Sequence, residues 1–188
     1  GMVRFQDIRE MGGEGNKKRL VGIDRKLFPE EPINLQFTSG TTGVPKAATL
    51  THKNIVNNAR FVAESMKLTQ KDRLCIPVPL YHCFGMVLGN LACVVGGTTM
   101  VFPGEGFDPV VTLEALNAER CTGVHGVPTM FSAMLNCTGF VQYDLRSTRT
   151  GIMAGAHCPI WSMTNVVFTM HAGTMSIAYR AGPYTHMQ

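Results

Sequence analysis

The sequence lacks any apolar run long enough to cross a membrane. Its longest such run, residues 84–97, is interrupted by Asn90, and a spanning helix needs about 20 apolar residues. No signal-peptide pattern opens the chain either. We therefore expect a protein that is not transmembrane. Because the sequence begins at Gly1 rather than at Met, we also expect its natural beginning to lie upstream.

Closely spaced cysteine pairs are also missing. The six cysteines are scattered singly, at positions 75, 83, 93, 121, 137 and 158. Without Cys-x-x-Cys spacing, neither a zinc site nor a redox pair is indicated, so no metal ligands are assigned. We expect free, mostly buried thiols in a reducing compartment.

The basic residues near the start lack a regular interleaving with aromatic side chains. The formal net charge is +4, and seven of the 17 lysines and arginines lie within the first 26 residues. Proteins that bind single-stranded nucleic acid combine a basic groove with stacking aromatics. We therefore expect no nucleic-acid partner and interpret residues 1–31 as a solvated lead-in.

From Pro32 onward, β-rich segments alternate with segments that have helical patterns. The predicted strands are residues 33–37, 74–78, 98–102, 122–125, 151–154 and 176–179. Helices are predicted to begin at Thr51, at Asp108–Pro109, at Pro128 and at Pro159, because these residues are common caps or first helical residues. Residues 84–95 are apolar all round and predict a buried helix. This alternation predicts an α/β fold with a mostly parallel sheet flanked by helices.

The segment "TSGTTGVPK", Thr38 to Lys46, directly follows the first predicted strand. In parallel α/β sheets ligands bind at the carboxyl ends of the strands, so we expect this segment at a functional edge. Its glycines allow backbone N–H groups to approach an anion, its hydroxyls add donors, and Lys46 adds a positive charge. It is not a Walker A loop, because Pro45-Lys46-Ala47 stands where Gly-Lys-Ser/Thr is required. The residues alone therefore leave open a phosphate cradle or an ordinary surface turn.

The longer string "FTSGTTGVPKAATLTHKNIV" resembles the phosphate-binding signature of the adenylate-forming (acyl-CoA synthetase, AMP-binding) superfamily. The family form is Thr-Ser-Gly-Thr-Thr-Gly-x-Pro-Lys-Gly followed by Thr/Ser-His, and only Ala47 departs from it within the loop. The details "INLQFTSGTTG" and "YDLRSTRTGIMAGA" are similar to medium-chain acyl-CoA synthetases of the family member 2 type. The resemblance implies ATP phosphate binding by seven residues: Thr38, Ser39, Gly40, Thr41, Thr42, Gly43 and Lys46.

Further motifs follow in the family's order. "PLYH" and the following Phe84 resemble the family's acyl/adenylate segment, which implies pocket roles for Tyr81, His82 and Phe84. Packing in the core is the alternative for all three, and for His125 in "GVHGVP". "RTGIMAGAHCP" resembles the loop beside adenine, which implies adenine-side roles for Gly155, Ala156 and, further on, Tyr179.

The resemblance breaks after Tyr179, where the family continues Tyr-Gly-x-Thr-Glu. Here "YRAGPYTHMQ" contains no acidic residue, so the family's Mg²⁺ ligand is not found and no catalytic residue is assigned. The resemblance implies that residues 32–188 are part of the large N-terminal domain of an adenylate-forming enzyme. It also implies that this chain lacks the C-terminal catalytic subdomain.

The implied parent is a fatty acid–CoA ligase that uses ATP with Mg²⁺, a medium-chain fatty acid and CoA. We expect this chain to be a truncated form with little activity alone. The alternative is a non-catalytic module that binds nucleotide or acyl ligand and associates with a full-length homologue. The resemblance favours the mitochondrial matrix as the compartment, with the cytoplasm as the alternative.

Overall fold

The structure is a computed structural model that describes residues 4–24, 26–38, 44–158, 164, 166 and 174–178. The chain divides into two compact units, residues 1–54 and 55–188. Within the described residues, no helix has both the length and the apolar character that a membrane crossing requires.

The first unit consists of two short helices and a β-hairpin. Its elements are α1 (Phe5–Glu10), α2 (Glu14–Asp24), β1 (Pro32–Thr38) and β2 (Lys46–Thr51). β1 and β2 pair antiparallel, with Phe37 opposite Ala47 and Thr38 opposite Lys46. None of the described residues from 4 to 54 is fully buried, so this unit has no described core of its own.

The first predicted strand exists, but its expected place in the parallel sheet is wrong. Among the described strands, β1 pairs with β2 alone, in a separate two-stranded sheet. A parallel pair needs a crossover of a dozen or more residues, whereas antiparallel strands accept a short connection. Residues 39–45, which join β1 to β2, are too few for a crossover. The strand β2 itself was not predicted from the sequence.

The second unit is a parallel sheet with helices. The division at residue 54 falls within α3 (His52–Ser65), and the later elements are β3 (Arg73–Cys75), a π-helix (Phe84–Leu91), α4 (Ala92–Gly96), β4 (Thr99–Val101), α5 (Pro109–Ala118), β5 (Gly123–Gly126), α6 (Pro128–Leu135), a 3₁₀ turn (Phe140–Gln142), β6 (Thr150–Ala154) and β7 (Thr174–Ala178). The strand order is β4-β3-β5-β6-β7, and every pair is parallel. The predicted α/β fold with a mostly parallel sheet is confirmed.

The predicted helix starts are confirmed where the structure describes them. The Asp108 carboxylate accepts hydrogen bonds of 2.9 Å from the N–H groups of Val110 and Val111. Thr51 and Asn54 cap each other: the Asn54 N–H donates to Thr51 Oγ1, and the Thr51 N–H donates to Asn54 Oδ1. This reciprocal arrangement satisfies two backbone donors that the helix leaves unpaired. The helix predicted from Pro159 begins outside the described residues.

The sheet carries a core on each face. Along β6, Met153 belongs to one buried cluster, whereas Ile152 and Ala154 belong to the other. Successive strand residues point to opposite faces, so the two clusters lie on opposite sides of the sheet. One includes residues of α5 and α6, such as Leu113 and Phe131, and the other includes residues of the π-helix and α4.

All six thiols are free, and four of them, at positions 75, 93, 121 and 158, are buried. The expected free and mostly buried cysteines are confirmed. The predicted buried helix over residues 84–95 is correct only in part, because Val94 and Val95 in α4 are exposed.

A buried carboxylate joins three neighbouring strands at their amino ends. Asp72, Thr122 and Arg149 directly precede β3, β5 and β6. Arg149 donates to both Asp72 oxygens, at 2.9 and 2.7 Å, and Thr122 Oγ1 donates at 2.7 Å. The N–H and hydroxyl of Thr69 complete the set, at 2.8 and 2.9 Å. Asp72 is buried, so these hydrogen bonds are shielded from water. The network therefore holds the amino ends of the three strands in register.

These contacts make the fold sensitive to acid. Burial raises the pKa of Asp72, but the donated hydrogen bonds, led by those from Arg149, outweigh it and lower the pKa to about 2. A carboxyl group with a lowered pKa stabilises the fold above its unfolded pKa and stops doing so as pH falls through its folded pKa. We expect the free energy of unfolding to fall by about 2 kcal/mol between about pH 5 and pH 2 from this group alone.

Asp72→Asn should lower the free energy of unfolding at pH 7 by about 2–3 kcal/mol, because it removes the charge opposite Arg149. It should also flatten the acid part of the stability profile. Urea unfolding from pH 2 to pH 7 measures both effects. Asp144→Asn, which breaks an exposed pair with Arg146, is the control and should change the urea midpoint at pH 7 much less. An acid profile of Asp72→Asn that matches the unchanged chain would contradict the assignment.

Candidate functional site

The predicted phosphate loop connects the strands of the hairpin in the first unit. Its ends, Thr38 and Lys46, are paired across the hairpin, and Thr38 Oγ1 donates to the Lys46 carbonyl oxygen at 3.4 Å. Lys46 is exposed. Ser39, Gly40, Thr41, Thr42 and Gly43 lie outside the described residues. The hairpin thus brings a hydroxyl and an ammonium group to the two ends of one loop.

This loop runs from strand to strand, whereas a Walker A loop leads from a strand into a helix. Lys46 is the first residue of β2, and the next helix, α3, begins only at His52. The structure therefore agrees with the exclusion of a P-loop nucleotidase that Ala47 suggested from the sequence.

In the second unit, a change of strand order marks the sheet's carboxyl edge. The chain runs from β3 outward to β4 and then returns to place β5 on the other side of β3. Connections that leave neighbouring strands in opposite directions open a crevice at the strands' carboxyl ends, which is where α/β folds bind ligands. The segments that follow β3 and β5 at this point are residues 76–83 and residues 127–128.

Tyr81 lines a cavity of about 410 Å³ beside this edge. The cavity is walled mainly by apolar residues that follow β3 and β4, among them Leu80, Phe102 and Phe107, and Glu105 is the one acidic residue among the described residues that line it. Tyr81 itself is 86% exposed. The cavity can accept an apolar chain of moderate size, and Tyr81 lies at its surface.

His82 and Phe84 do not share that cavity. The Phe84 N–H donates to His82 Nδ1 at 3.0 Å, so His82 caps the first turn of the π-helix. Phe84 is buried, and its ring centroid lies 5.3 Å from that of His125 at an angle of 35°. The three predicted pocket residues are thus neighbours in sequence that occupy a cavity wall, a helix start and the core.

Gly85 explains why the π-helix lies so close to the preceding segment. A Cβ at this position would lie 2.4 Å from the Pro79 carbonyl oxygen, which no side chain tolerates. The glycine therefore allows residues 79–82 to fold back over the helix start. π-helices are rare and occur often at functional sites, which supports this corner as the candidate site of the second unit.

His125 ties the π-helix to β5. Its Nε2 donates to the Leu88 carbonyl oxygen at 3.0 Å, and Nδ1 has no hydrogen-bond partner among the described residues. Burial lowers the pKa of His125 to about 4, although the bond to Leu88 favours the protonated form. The imidazole is therefore neutral at pH 7. Of the two roles considered from the sequence, the structure shows contacts with the core.

The predicted adenine-side residues follow β6 at the same edge of the sheet. Gly155 and Ala156 are both exposed, and Gly155 has φ of +89°, a conformation that favours glycine. Tyr179 lies outside the described residues. Both residues are therefore accessible to a ligand.

Across the described ranges, no group of three or more His, Cys, Asp or Glu side chains lies together as a metal ion would require.

Comparison with known proteins identifies the family. The family model described as "AMP-binding enzyme" matches residues 5–174. The acyl-CoA ligase sidI of Aspergillus fumigatus is 53% identical over 159 residues, which are 85% of this chain and 27% of the relative. The medium-chain acyl-CoA ligase ACSF2, mitochondrial, of Danio rerio is 42% identical over 181 residues, 95% of this chain and 30% of the relative. The chain thus spans less than a third of the length of these curated relatives.

Solved structures share the fold. The N-terminal domain of FACL13 from Mycobacterium tuberculosis superimposes with a TM-score of 0.65 at 22% identity, over 83% of this chain and 39% of that one. The anthranilate CoA ligase AuaEII, solved with anthranoyl-AMP, gives a TM-score of 0.71 at 24% identity, over 80% of this chain and 30% of that one.

ATP-bound MatB from Rhodopseudomonas palustris gives a TM-score of 0.67 at 24% identity, over 81% of this chain and 30% of that one. Because the family match extends over most of the chain, the protein belongs to the AMP-binding enzyme family, and its residues correspond to a part of the N-terminal region of acyl-CoA ligases.

Proposed function

We propose that this chain is the nucleotide-binding part of a fatty acid–CoA ligase. The complete reaction converts a carboxylic acid and ATP into acyl-AMP and pyrophosphate, and then transfers the acyl group to CoA. The observation that carries the proposal is the pairing of Thr38 with Lys46 at the two ends of the loop that matches the family's phosphate signature. Family membership and the ATP-bound MatB structure, which shares the fold, support it further.

Charge explains what Lys46 contributes. An ammonium group about 4 Å from a phosphate oxygen gains on the order of 4 kcal/mol at an effective dielectric of 20, before desolvation is subtracted. Lys46 is exposed, so the net contribution is smaller than this value. Thr38 Oγ1 lies beside the Lys46 backbone and adds a hydrogen-bonding group at the same end of the hairpin. Ser39, Thr41, Thr42 and the loop glycines complete the proposed phosphate site by resemblance.

The substrate and adenine side are proposed for the second unit. Gly155 and Ala156, which are both exposed, are proposed to lie beside the adenine, together with Tyr179. The acyl pocket uses Tyr81 and the apolar walls of its cavity, with His82 and Phe84 shaping the corner beside it. A medium-chain fatty acid is the proposed substrate, since the Danio rerio relative is named for that chain length. That relative's name also supports a mitochondrial location.

Mg²⁺ belongs to the proposed reaction as the companion of ATP, but this chain offers no described cluster of acidic ligands for it. The acidic residue of the family motif after Tyr179 is replaced here, because "RAGPYTHMQ" follows. The residues present therefore fit the phosphates better than the metal. We propose that these 188 residues bind nucleotide and have little ligase activity alone.

Lys46→Ala should weaken ATP binding about tenfold, because it removes the cation at the end of the loop. Isothermal titration calorimetry with ATP measures the change. Lys53→Ala is the matched control: Lys53 is another exposed lysine of the same unit, paired with Glu30 at 3.4 Å, and its loss should leave ATP affinity nearly unchanged. Equal affinity for the unchanged chain and Lys46→Ala would remove the loop from the ATP site.

Fatty-acid-dependent release of pyrophosphate should be at least about a hundredfold slower for the purified chain than for the complete Danio rerio ligase. The reason is that each missing transition-state contact costs about 3 kcal/mol. A coupled pyrophosphate assay with medium-chain acids makes the comparison. Turnover close to that of the complete ligase would disprove the proposed inactivity.

The alternative function is a non-catalytic module that associates with a full-length homologue. Both functions predict saturable binding of ATP or of a non-hydrolysable acyl-AMP analogue without pyrophosphate release, so association with the complete Danio rerio ligase distinguishes them. Saturable association favours the module, and no binding of either ligand contradicts both functions.

A further inference from the structure

The cavity beside Tyr81 is formed by two chain segments that leave neighbouring strands of the parallel sheet. One wall continues β3 and the other continues β4. The Ile76 N–H donates to the Val101 carbonyl oxygen at 2.9 Å, so the two segments are still joined where the cavity begins. Pro77 and Pro79 belong to the first wall, and their fixed φ angles limit its freedom to move. The cavity is therefore a pre-formed feature of the sheet edge.

Glu105 differs in charge from the apolar walls of this cavity. It lies in the loop that follows β4, between Gly104 and Gly106, and all three residues line the cavity. Glu105 is exposed, and the ion pairs among the described residues do not include it. The described lining residues also contain no lysine, arginine or histidine. The cavity thus has one carboxylate at its surface and no described cation to offset it.

The loop that carries Glu105 is anchored at both ends. Val101, before the loop, is buried, and Phe107, after it, packs against the core cluster of α5 and α6. Asp108 caps α5 by accepting from two backbone N–H groups. At the tip, a Cβ added to Gly106 would meet no atom within 4 Å. The anchored neighbours therefore hold Glu105 at the cavity, while the space around the tip stays open.

The strand order indicates which end of a bound acid would meet Glu105. In the proposed function the acid is joined to AMP, whose adenine is proposed to lie beside Gly155 and Ala156, after β6. Two strands, β5 and β3, separate β6 from β4. Three strand spacings amount to about 14 Å. An acyl chain that crosses this distance into the cavity therefore has its far end, and not its reacting carboxyl group, near Glu105.

A second carboxylate at the far end of the acid is unfavourable in this cavity for two reasons. It loses water among apolar walls without gaining a described cationic partner, and it is repelled by the carboxylate of Glu105. A methyl end has neither cost. Placing an unpaired like charge against the wrong ligand is a general route to specificity.

We propose that Glu105 is a specificity-determining residue of the acyl pocket, which selects acids with an uncharged far end against α,ω-dicarboxylic acids. The proposal rests on the proposed function, because it takes this cavity as the acyl pocket. It goes beyond that function by assigning the choice between two classes of acid to one charged side chain.

Equilibrium binding to this chain tests the role of Glu105. Isothermal titration calorimetry gives the dissociation constants of decanoate and of decanedioate, and their ratio is the preference for decanoate. Glu105→Gln should reduce this preference at least about threefold and Glu105→Lys at least about tenfold, because the repelling charge is removed or reversed. A preference that Glu105→Gln and Glu105→Lys leave unchanged overturns the proposal.

Salt dependence separates repulsion by charge from a change of shape. Raising the salt concentration from about 0.05 M to about 0.5 M should reduce the preference of the unchanged chain, because salt screens interactions between exposed charges. The preference of Glu105→Gln should respond less. Equal salt responses of the two proteins overturn the proposal.

Glu114→Gln is the matched control. Glu114 is an exposed acidic residue of the adjoining helix α5 and is not among the described residues that line the cavity. This substitution changes the net charge by the same amount as Glu105→Gln, but it should alter the preference by less than about twofold, because solvent and salt screen more distant charges. A loss of preference as large as that of Glu105→Gln overturns the proposal, because the effect then follows from net charge.

Leu80→Ala tests whether the acid occupies this cavity. Leu80 lines the cavity and is 45% exposed, so the substitution should weaken decanoate binding about fivefold through lost apolar contact. If decanoate does not bind the chain, or binds Leu80→Ala equally well, the proposed acyl pocket fails and the role of Glu105 fails with it. If Leu80→Ala weakens binding while Glu105→Gln leaves the preference unchanged, only the role of Glu105 fails, so the two failures are distinguishable.

Discussion

The ion pair between Asp72 and Arg149 organises the second unit. Both residues sit immediately before a strand, and Thr122, which donates to the same carboxylate, sits immediately before the strand between them. One buried charge thus fastens the amino ends of β3, β5 and β6. Because the strands are parallel, fixing the register of their amino ends also fixes the register of their carboxyl ends. The candidate ligand-binding residues of this unit lie at the carboxyl ends.

The opposite edge is shaped by backbone requirements more than by charge. Gly85 allows the chain to fold back over the start of the π-helix, and His82 caps that helix by accepting from Phe84. His125 binds the helix at Leu88 from the neighbouring strand. These contacts fix the π-helix against β5, and the apolar cavity that Tyr81 lines involves the segment that precedes this helix. Such a cavity suits an apolar group better than a charged one.

In the first unit, the segment that matches the phosphate signature connects the strands of a β-hairpin and does not follow a strand of the parallel sheet. Its hairpin joins two strands that have no described core beneath them, and the apolar side chains of β1 face outward. The loop's chemistry is local, because hydroxyl groups, glycines and one lysine suffice to surround an anion. The stability of the hairpin is not local, because the apolar side chains of β1 gain free energy only where other residues remove them from water.

Part of the local structure was predictable because its signals are local. The caps at Thr51 and Asp108 and the ends of the predicted phosphate loop depend on residues a few positions apart, so the sequence alone indicates them. The separation of Tyr81, His82 and Phe84 was not predictable, because three neighbours can point to a cavity, a helix end or the core depending on how the π-helix packs. The same limit applies to His125, whose burial and contacts depend on a helix that lies far away in sequence.

By itself, the amino-acid sequence determined the family, the α/β alternation and most strands, since periodicity and short motifs survive without knowledge of packing. Tertiary structure alone decided that β1 leaves the parallel sheet for a hairpin with β2, that Asp72 meets Arg149, and which face of β1 is bare. The physical reason is that strand pairing and burial depend on distant partners, whereas caps, turns and anion-binding loops depend on neighbours along the chain.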